Sequence, residues 1–175
     1  MSHYLIETKR LGLRLLQKED IEYLEDLESD AEVRRYFPTG VKNRAQTEAF
    51  IAKFLSNYAE KNLPCFVLFE LPLDENTRQN EGIFVGRAGF GLTDEGEVEV
   101  GYLLHKKCWG KGYATEALQA ILTWAKEHLS VDYVIAFADP ENRGSIRVME
   151  KCGMEYYKTG TAHGITCRFY RIKNR

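Results

Sequence analysis

Apolar Leu5, Leu11, Leu13 and Leu15 stand among polar Lys9, Arg10 and Arg14, the two-residue alternation of a half-buried strand over Leu5 to Leu16. Lys18-Glu19-Asp20 then opens a helix with Ile21, Leu24 and Leu27 on its inner face and Glu22, Glu25, Asp26 and Glu28 turned outward. Phe37-Pro38-Thr39-Gly40 breaks it. A second helix spans about Arg44 to Lys61, where Phe50, Ile51, Phe54, Leu55 and Tyr58 recur at helical intervals, and Pro64 follows. Phe66 to Leu71 is apolar enough for a strand buried on both faces, and Pro72 to Glu81 reads as a polar hairpin loop. Ile83–Leu92 and Glu97–His105 are two more strands, joined by Thr93-Asp94-Glu95-Gly96.

From Gly112 to Leu129 the period changes. Ala114, Ala117, Leu118, Ile121, Leu122 and Ala125 form one apolar stripe, the clearest helix of the chain. A strand at Val131–Ala138 precedes a short helix at Asn142–Cys152, with Ile146, Val148, Met149 and Cys152 inward and Gly153 at the left-handed cap position. Strands around Met154–Thr159 and Ile165–Ile172 complete the pattern. The alternation of types predicts an α/β (α+β) fold, a mixed sheet with helices on both faces.

At 175 residues the chain is the size of one domain, residues 1–175. Its 24 Lys plus Arg against 26 Asp plus Glu give a net charge of -2, too balanced for a protein that coats nucleic acid or an anionic membrane. Charges interrupt every apolar run before the roughly 18–20 residues a membrane-spanning helix needs. Met1-Ser2-His3-Tyr4 shows no basic-then-apolar leader, so the expected location is the cytoplasm. Cys65, Cys108, Cys152 and Cys167 form no C-x-x-C pair and the four histidines no ligand spacing, so neither a metal nor a disulfide framework is expected. The closing Arg171 to Arg175 reads as a solvated end.

The chemically informative stretch runs from Glu97 to Ala117: an apolar strand, a basic turn with glycines, then the best helix. Such a junction binds anions, because the N–H groups of a first helical turn lack partners and the helix dipole favours negative charge there. Gly110 and Gly112 admit a phosphate against the backbone, and Lys106, Lys107 and Lys111 raise the local potential. Walker A fails, since Lys111 is followed by Gly112 and position 105 is His; the dinucleotide fingerprint fails at Asp94. Zinc-protease and serine-hydrolase motifs are absent as well.

Lys107-Cys-Trp-Gly110-Lys-Gly112-Tyr-Ala-Thr-Glu-Ala117 resembles the Q/R-x-x-G-x-G/A acyl-CoA pyrophosphate loop of the GNAT superfamily of N-acetyltransferases. Asn142-Arg-Gly-Ser145-Ile-Arg-Val-Met-Glu-Lys-Cys-Gly153 is similar to the N-x-x-S-I-x-x-x-E-K-x-G stretch of its RimJ/RimL-like branch, which acetylates ribosomal-protein N-termini. Thr8-Lys-Arg10-Leu-Gly-Leu-Arg14-Leu resembles that branch's first strand, T-x-R-L-x-L-R. The resemblance implies a mostly antiparallel sheet of six to seven strands and acetyl-CoA as cosubstrate, with no metal. It implies that the backbones of Leu103 and Leu104 pair with the pantetheine arm, and that the N–H groups of Cys108, Trp109, Gly110, Lys111, Gly112, Tyr113 and Ala114 hold the pyrophosphate. Asn142 and Ser145 would touch the lower pantetheine, although Asn142 also suits an N-cap. Lys107 stands where Gln or Arg is usual, keeping the charge without arginine's fork.

The implied reaction is attack of an amine on the acetyl thioester, which requires removal of the amine's proton. Glu99 lies where many relatives carry a catalytic glutamate, two residues before the glycine of E-x-G-Y. Met149 occupies the usual position of the tyrosine acid, so no acid is assigned; Tyr102, Tyr113, Tyr156 and Tyr157 qualify by type only. Direct transfer in a ternary complex is expected, since no loop cysteine has a histidine partner. The acceptor stays open among a protein N-terminus, a polyamine, an aminoglycoside and another small amine, as does a non-catalytic acyl-CoA-binding regulatory module. Monomer and homodimer both occur in the superfamily; neither nucleic acid nor membrane is an expected partner.

Overall fold

The computed structural model describes residues 3–78 and 82–175. Residues 79–81 of the predicted loop and the first two residues of the N-terminal reading lie outside them. The elements run β1 (Ile6–Glu7), β2 (Leu11–Leu15), α1 (Ile21–Ser29), α2 (Arg44–Lys61), β3 (Cys65–Glu70), β4 (Ile83–Leu92), β5 (Val98–Leu104), α3 (Tyr113–His128), β6 (Tyr133–Ala138), α4 (Arg143–Lys151), β7 (Glu155–Ala162) and β8 (Ile165–Lys173). They form one eight-stranded sheet, β1-β2-β3-β4-β5-β6-β8-β7, antiparallel except where β5 meets β6.

The predicted six to seven strands become eight because the opening segment folds on itself. Ile6 pairs with Leu13 and Glu7 with Gly12, turning at Thr8 to Arg10. The half-buried expectation for this segment also needs correction, since Leu11 and Leu13 are fully buried and Arg14 is nearly so. An internal ion pair makes that possible: Arg14 holds both carboxylate oxygens of Asp20 at 2.9 and 3.0 Å.

Each face of the sheet packs its own helices. Phe66, Leu68, Ala88, Phe90 and Val100 meet Leu118, Ile121 and Trp124 of α3 on one side. Cys65, Val67, Phe69 and Leu103 meet Leu24 and Leu27 of α1 and Ile51 of α2 on the other. Asn43 caps α2 by accepting from the Gln46 N–H at 2.9 Å, and Gln46 reciprocates at 2.8 Å. Gly153 ends α4 at φ 86°, as its sequence position predicts. The terminal segment is not simply solvated: buried Asn174 donates to the carbonyls of Leu129 and Val131 at 2.9 and 3.1 Å, tying the end of β8 to the exit of α3. Among the described residues, no helix is long and apolar enough to cross a membrane.

Candidate active site

Strands β5 and β6 pair in parallel at Glu99–Ile135, after which β5 heads for α3 while β6 runs along β8. Their divergence opens a cleft of about 1280 Å³ that reaches both sides of the sheet. On the α3 and α4 side it is bounded by Tyr102, Ala114, Asn142 and Ser145, and on the α1 and α2 side by Lys42, Phe50, Lys53 and Arg87.

The loop into α3 has the backbone that its glycines predict. Gly110 and Gly112 adopt φ 72° and 82°, and a Cβ at Gly110 would meet nothing within 4 Å. Glu116 donates the first helical bond, to the Gly112 carbonyl at 3.1 Å, so the N–H groups of Tyr113, Ala114 and Thr115 have no acceptor within the helix. That open cradle fits a diphosphate. The N–H groups of Cys108 and Trp109 are already engaged, by the carbonyls of His105 at 2.8 Å and Lys106 at 3.1 Å. The Trp109 indole donates to the Leu104 carbonyl at 3.0 Å. Lys107 and Lys111 are exposed and stand outside the cleft wall, whereas Leu103, Leu104, Cys108, Trp109, Gly110 and Gly112 line it.

The opening motif explains how this loop is held. Glu116 of α3 accepts from the Thr8 hydroxyl at 2.7 Å, the Arg10 N–H at 2.8 Å and the Arg10 Nε at 2.7 Å. Arg10 then donates Nη1 to the Lys111 carbonyl at 2.7 Å and lies over the Tyr113 ring at 4.5 Å. Burial works to raise the Glu116 carboxyl, but bonds from Thr8 and Arg10 outweigh it and hold the group below its ordinary range. Across the cleft, Asn142 caps α4 by accepting from the Ser145 N–H at 3.2 Å. The Tyr102 hydroxyl donates to the Ser145 carbonyl at 2.9 Å and lies 2.9 Å from Ser145 Oγ. Burial raises the Tyr102 phenol well above its usual range, so it stays protonated.

Glu99 is half-buried at the point of divergence. Its partner in β4 is Gly91, and a Cβ there would stand 3.2 Å from Glu99 Oε1, so this glycine makes room for the carboxylate. Burial raises the Glu99 carboxyl, partly offset by the charges of His163 and Lys53. His163 comes from the β7–β8 turn, where it has φ 51° and lines the same cleft. The cleft thiols are poor nucleophiles: burial pushes Cys65 up to about 12 and raises Cys108 and Cys167 as well.

The other side of the cleft holds a charge cluster that the pattern of the sequence does not predict. Glu28, expected to face outward, is fully buried. It accepts from Arg87 Nε at 2.5 Å and Arg34 Nη1 at 3.1 Å, with Lys42 Nζ at 3.9 Å. Burial works to raise Glu28, but Arg87, Lys42 and Arg34 outweigh it and keep the carboxylate ionised. Lys42 is lowered to about 8 by burial first, with Arg87, Arg34 and Lys53 opposing its charge. Lys42 and Arg87 both lie over the Phe50 ring, at 4.2 and 4.4 Å. One signal was available in the sequence: Glu28 follows Ile21 and Leu24 at the seven- and four-residue spacings of the inner face.

Comparison with known proteins agrees with this architecture. The family model for the acetyltransferase (GNAT) domain matches residues 10–155. An uncharacterized N-acetyltransferase of Bacillus subtilis, YnaD, is 34% identical over 150 residues, covering 85% of this chain and 81% of its own. The crystal structure of a GNAT-family acetyltransferase from Bacillus anthracis is 31% identical, covers 97% of this chain and 98% of its own, and superposes with a TM-score of 0.76. RimL, a ribosomal L7/L12 N-terminal acetyltransferase bound to coenzyme A, and a spermidine N-acetyltransferase from Vibrio cholerae each cover 95% of this chain, and 95% and 97% of their own, with TM-scores of 0.76. At 16% and 15% identity these two share the fold alone. The chain belongs to the GNAT family of acetyltransferases. It is an acetyl-CoA-dependent N-acetyltransferase.

Proposed function

We propose that the chain, as a single cytoplasmic domain, acetylates a protein N-terminal amine by direct transfer within a ternary complex, with Glu99 as the base. The carrying observation is the half-buried Glu99 carboxylate lying over Gly91, where the strands part. A base must meet the amine at a level where acetyl-CoA also reaches, and the cleft joins Glu99 to the α3 loop. Burial brings the carboxyl closer to neutral, which suits it to accept a proton at working pH. An α-amino group, at about 7.7–8.0, gives up its proton to such a base more readily than a lysine near 10.4.

Acetyl-CoA supplies the thioester. In our reading the N–H groups from Gly110 to Thr115 hold its diphosphate, with Lys107 and Lys111 adding field from outside. Leu103 and Leu104 face the pantetheine along the unpaired edge of β5, while Asn142 and Ser145 bound its lower end. The Tyr102–Ser145 hydroxyl pair is the proton source we assign to the departing thiol. Direct transfer is supported by the burial of the cleft cysteines Cys65 and Cys108, which raises both thiols and disfavours a thiolate that could carry the acetyl group. The four cysteines are unpaired, in keeping with a reducing compartment.

The test is release of free thiol from acetyl-CoA on presentation of peptides, polyamines and aminoglycosides, with acetylation located by mass spectrometry. A peptide modified on its α-amine supports the reading. Turnover confined to polyamines or aminoglycosides, or a modified enzyme cysteine on the reaction path, overturns it.

A further inference from the structure

The α1 and α2 wall of the cleft carries more positive charge than its carboxylates balance. Arg34, Lys42 and Arg87 converge on one acid, Glu28, which leaves the cluster two charges positive, and all three cations line the cleft. Arg35 and Lys53 line the same wall. Of the acids on this side, Glu32 is held by Lys106 at 2.6 Å, and Glu99 is the proposed base.

We infer that the wall formed by Lys42, Lys53 and Arg87 is an anion subsite for the acceptor, and that the acceptor is a primary amine carrying a carboxylate. The subsite is separate from the diphosphate cradle. Arg87 pairs with Leu103, whose side chain packs with α1 and α2, while Tyr113 and the first turn of α3 pack against the opposite face of the sheet. Arg87 and Gly91 lie four residues apart on one face of β4, roughly 13 Å at the rise of an extended strand. Glu99 sits at the Gly91 end, and Lys53 lines the same cleft as Lys42 and Arg87. An extended peptide advances about 3.3 Å per residue, so an acidic side chain at its second or third position spans from the base toward Arg87. Glu99 then draws in the amine and the cations draw in the carboxylate. A polyamine or aminoglycoside would instead set its charges against Lys42, Lys53 and Arg87. Lys42 is suited to the role because a carboxylate arriving beside it stabilises the positive charge that its burial disfavours.

This inference rests on the acetyltransferase reading and deepens it. The experiment compares kcat/KM at saturating acetyl-CoA for a peptide with Asp and Glu at positions two and three, its Lys-Lys counterpart, free glutamate, spermidine and an aminoglycoside. The acidic peptide should exceed its lysine counterpart by about tenfold or more at low salt, with the gap narrowing as salt screens the wall. Activity on free glutamate alone would place the carboxylate on a small molecule, which keeps the subsite and removes the peptide. Lys53→Glu, on the exposed face of α2, should shrink or invert the preference without changing the KM for acetyl-CoA. Equal or better use of spermidine or the lysine peptide overturns the subsite while leaving the acetyltransferase intact. A raised acetyl-CoA KM in Lys53→Glu assigns the cations to the cosubstrate and overturns it too. Thiol release with no amine at all overturns both readings together.

Discussion

In the proposed reaction two positions concentrate the chemistry, and each depends on a glycine. Glu99 occupies the space that Gly91 leaves, and its raised carboxyl is a cost to the fold whenever it is ionised. Glu99→Gln should lower kcat by roughly 10²–10⁴-fold, as loss of a positioned base does. The wild-type kcat should rise as pH climbs through the elevated Glu99 ionisation, since only the carboxylate accepts a proton, and Glu99→Gln should lose that limb. The stability effect has the opposite sign. With the folded-state value above the unfolded one, ionised Glu99 destabilises the native chain, so Glu99→Gln should melt higher near neutral pH. That advantage should close as pH falls and wild-type Glu99 becomes neutral; calorimetry across pH reads it. Gly112 is the second case. At φ 82°, with Arg10 Nη2 3.2 Å from where a Cβ would stand, Gly112→Val should strain the loop and erase the thermal shift given by acetyl-CoA.

At the scale of elements, the β1–β2 turn works as a clamp on α3. Thr8 and Arg10 converge on Glu116 and Arg10 reaches across to the Lys111 carbonyl, so the hairpin at the edge of the sheet orders the loop that opens α3. The opening motif was visible in the sequence, but its partner was not, because Glu116 lies 106 residues beyond Arg10. Glu116→Gln keeps the size of the side chain and removes its charge. It should raise the acetyl-CoA dissociation constant about tenfold, equal to about 1.4 kcal/mol, and isothermal titration measures it. The α3 stripe is the contrasting case, since Leu118 and Ile121 are buried as their period predicts. Leu118→Ala should cost about 2–5 kcal/mol in chemical denaturation, through the cavity it leaves. The predicted helix at Arg44–Lys61 has the same bounds in the structure, because its capping box and left-handed Asn62 mark both ends locally.

The whole molecule separates two charges that its composition hides. A net charge of -2 describes the chain, yet one wall of the cleft gathers Arg34, Lys42 and Arg87 around a single acid of α1, Glu28, while Glu22 and Glu25 of that helix pair with Arg44 instead. In the proposed complex acetyl-CoA spans the divergence between β5 and β6, so it should stabilise both sides of the sheet together. At 100 times its dissociation constant the gain is about 2.7 kcal/mol, readable by calorimetry as a rise of several degrees for a chain of this size.

Periodicity, turn residues and the glycine loop are local quantities, and they sufficed for nearly every element, the mixed architecture and the left-handed turn ahead of α3. The same letters carried the resemblance to GNAT acetyltransferases, because a loop that must admit phosphate against bare backbone tolerates few alternatives. Folding the first segment into two strands, burying Glu28 beneath three cations, joining Thr8 and Arg10 to Glu116 and bringing His163 into the cleft that holds Glu99 were settled only in three dimensions. Each depends on groups distant in sequence, and a charge's cost or benefit depends on which partners the fold brings within a few ångströms and how much water it removes.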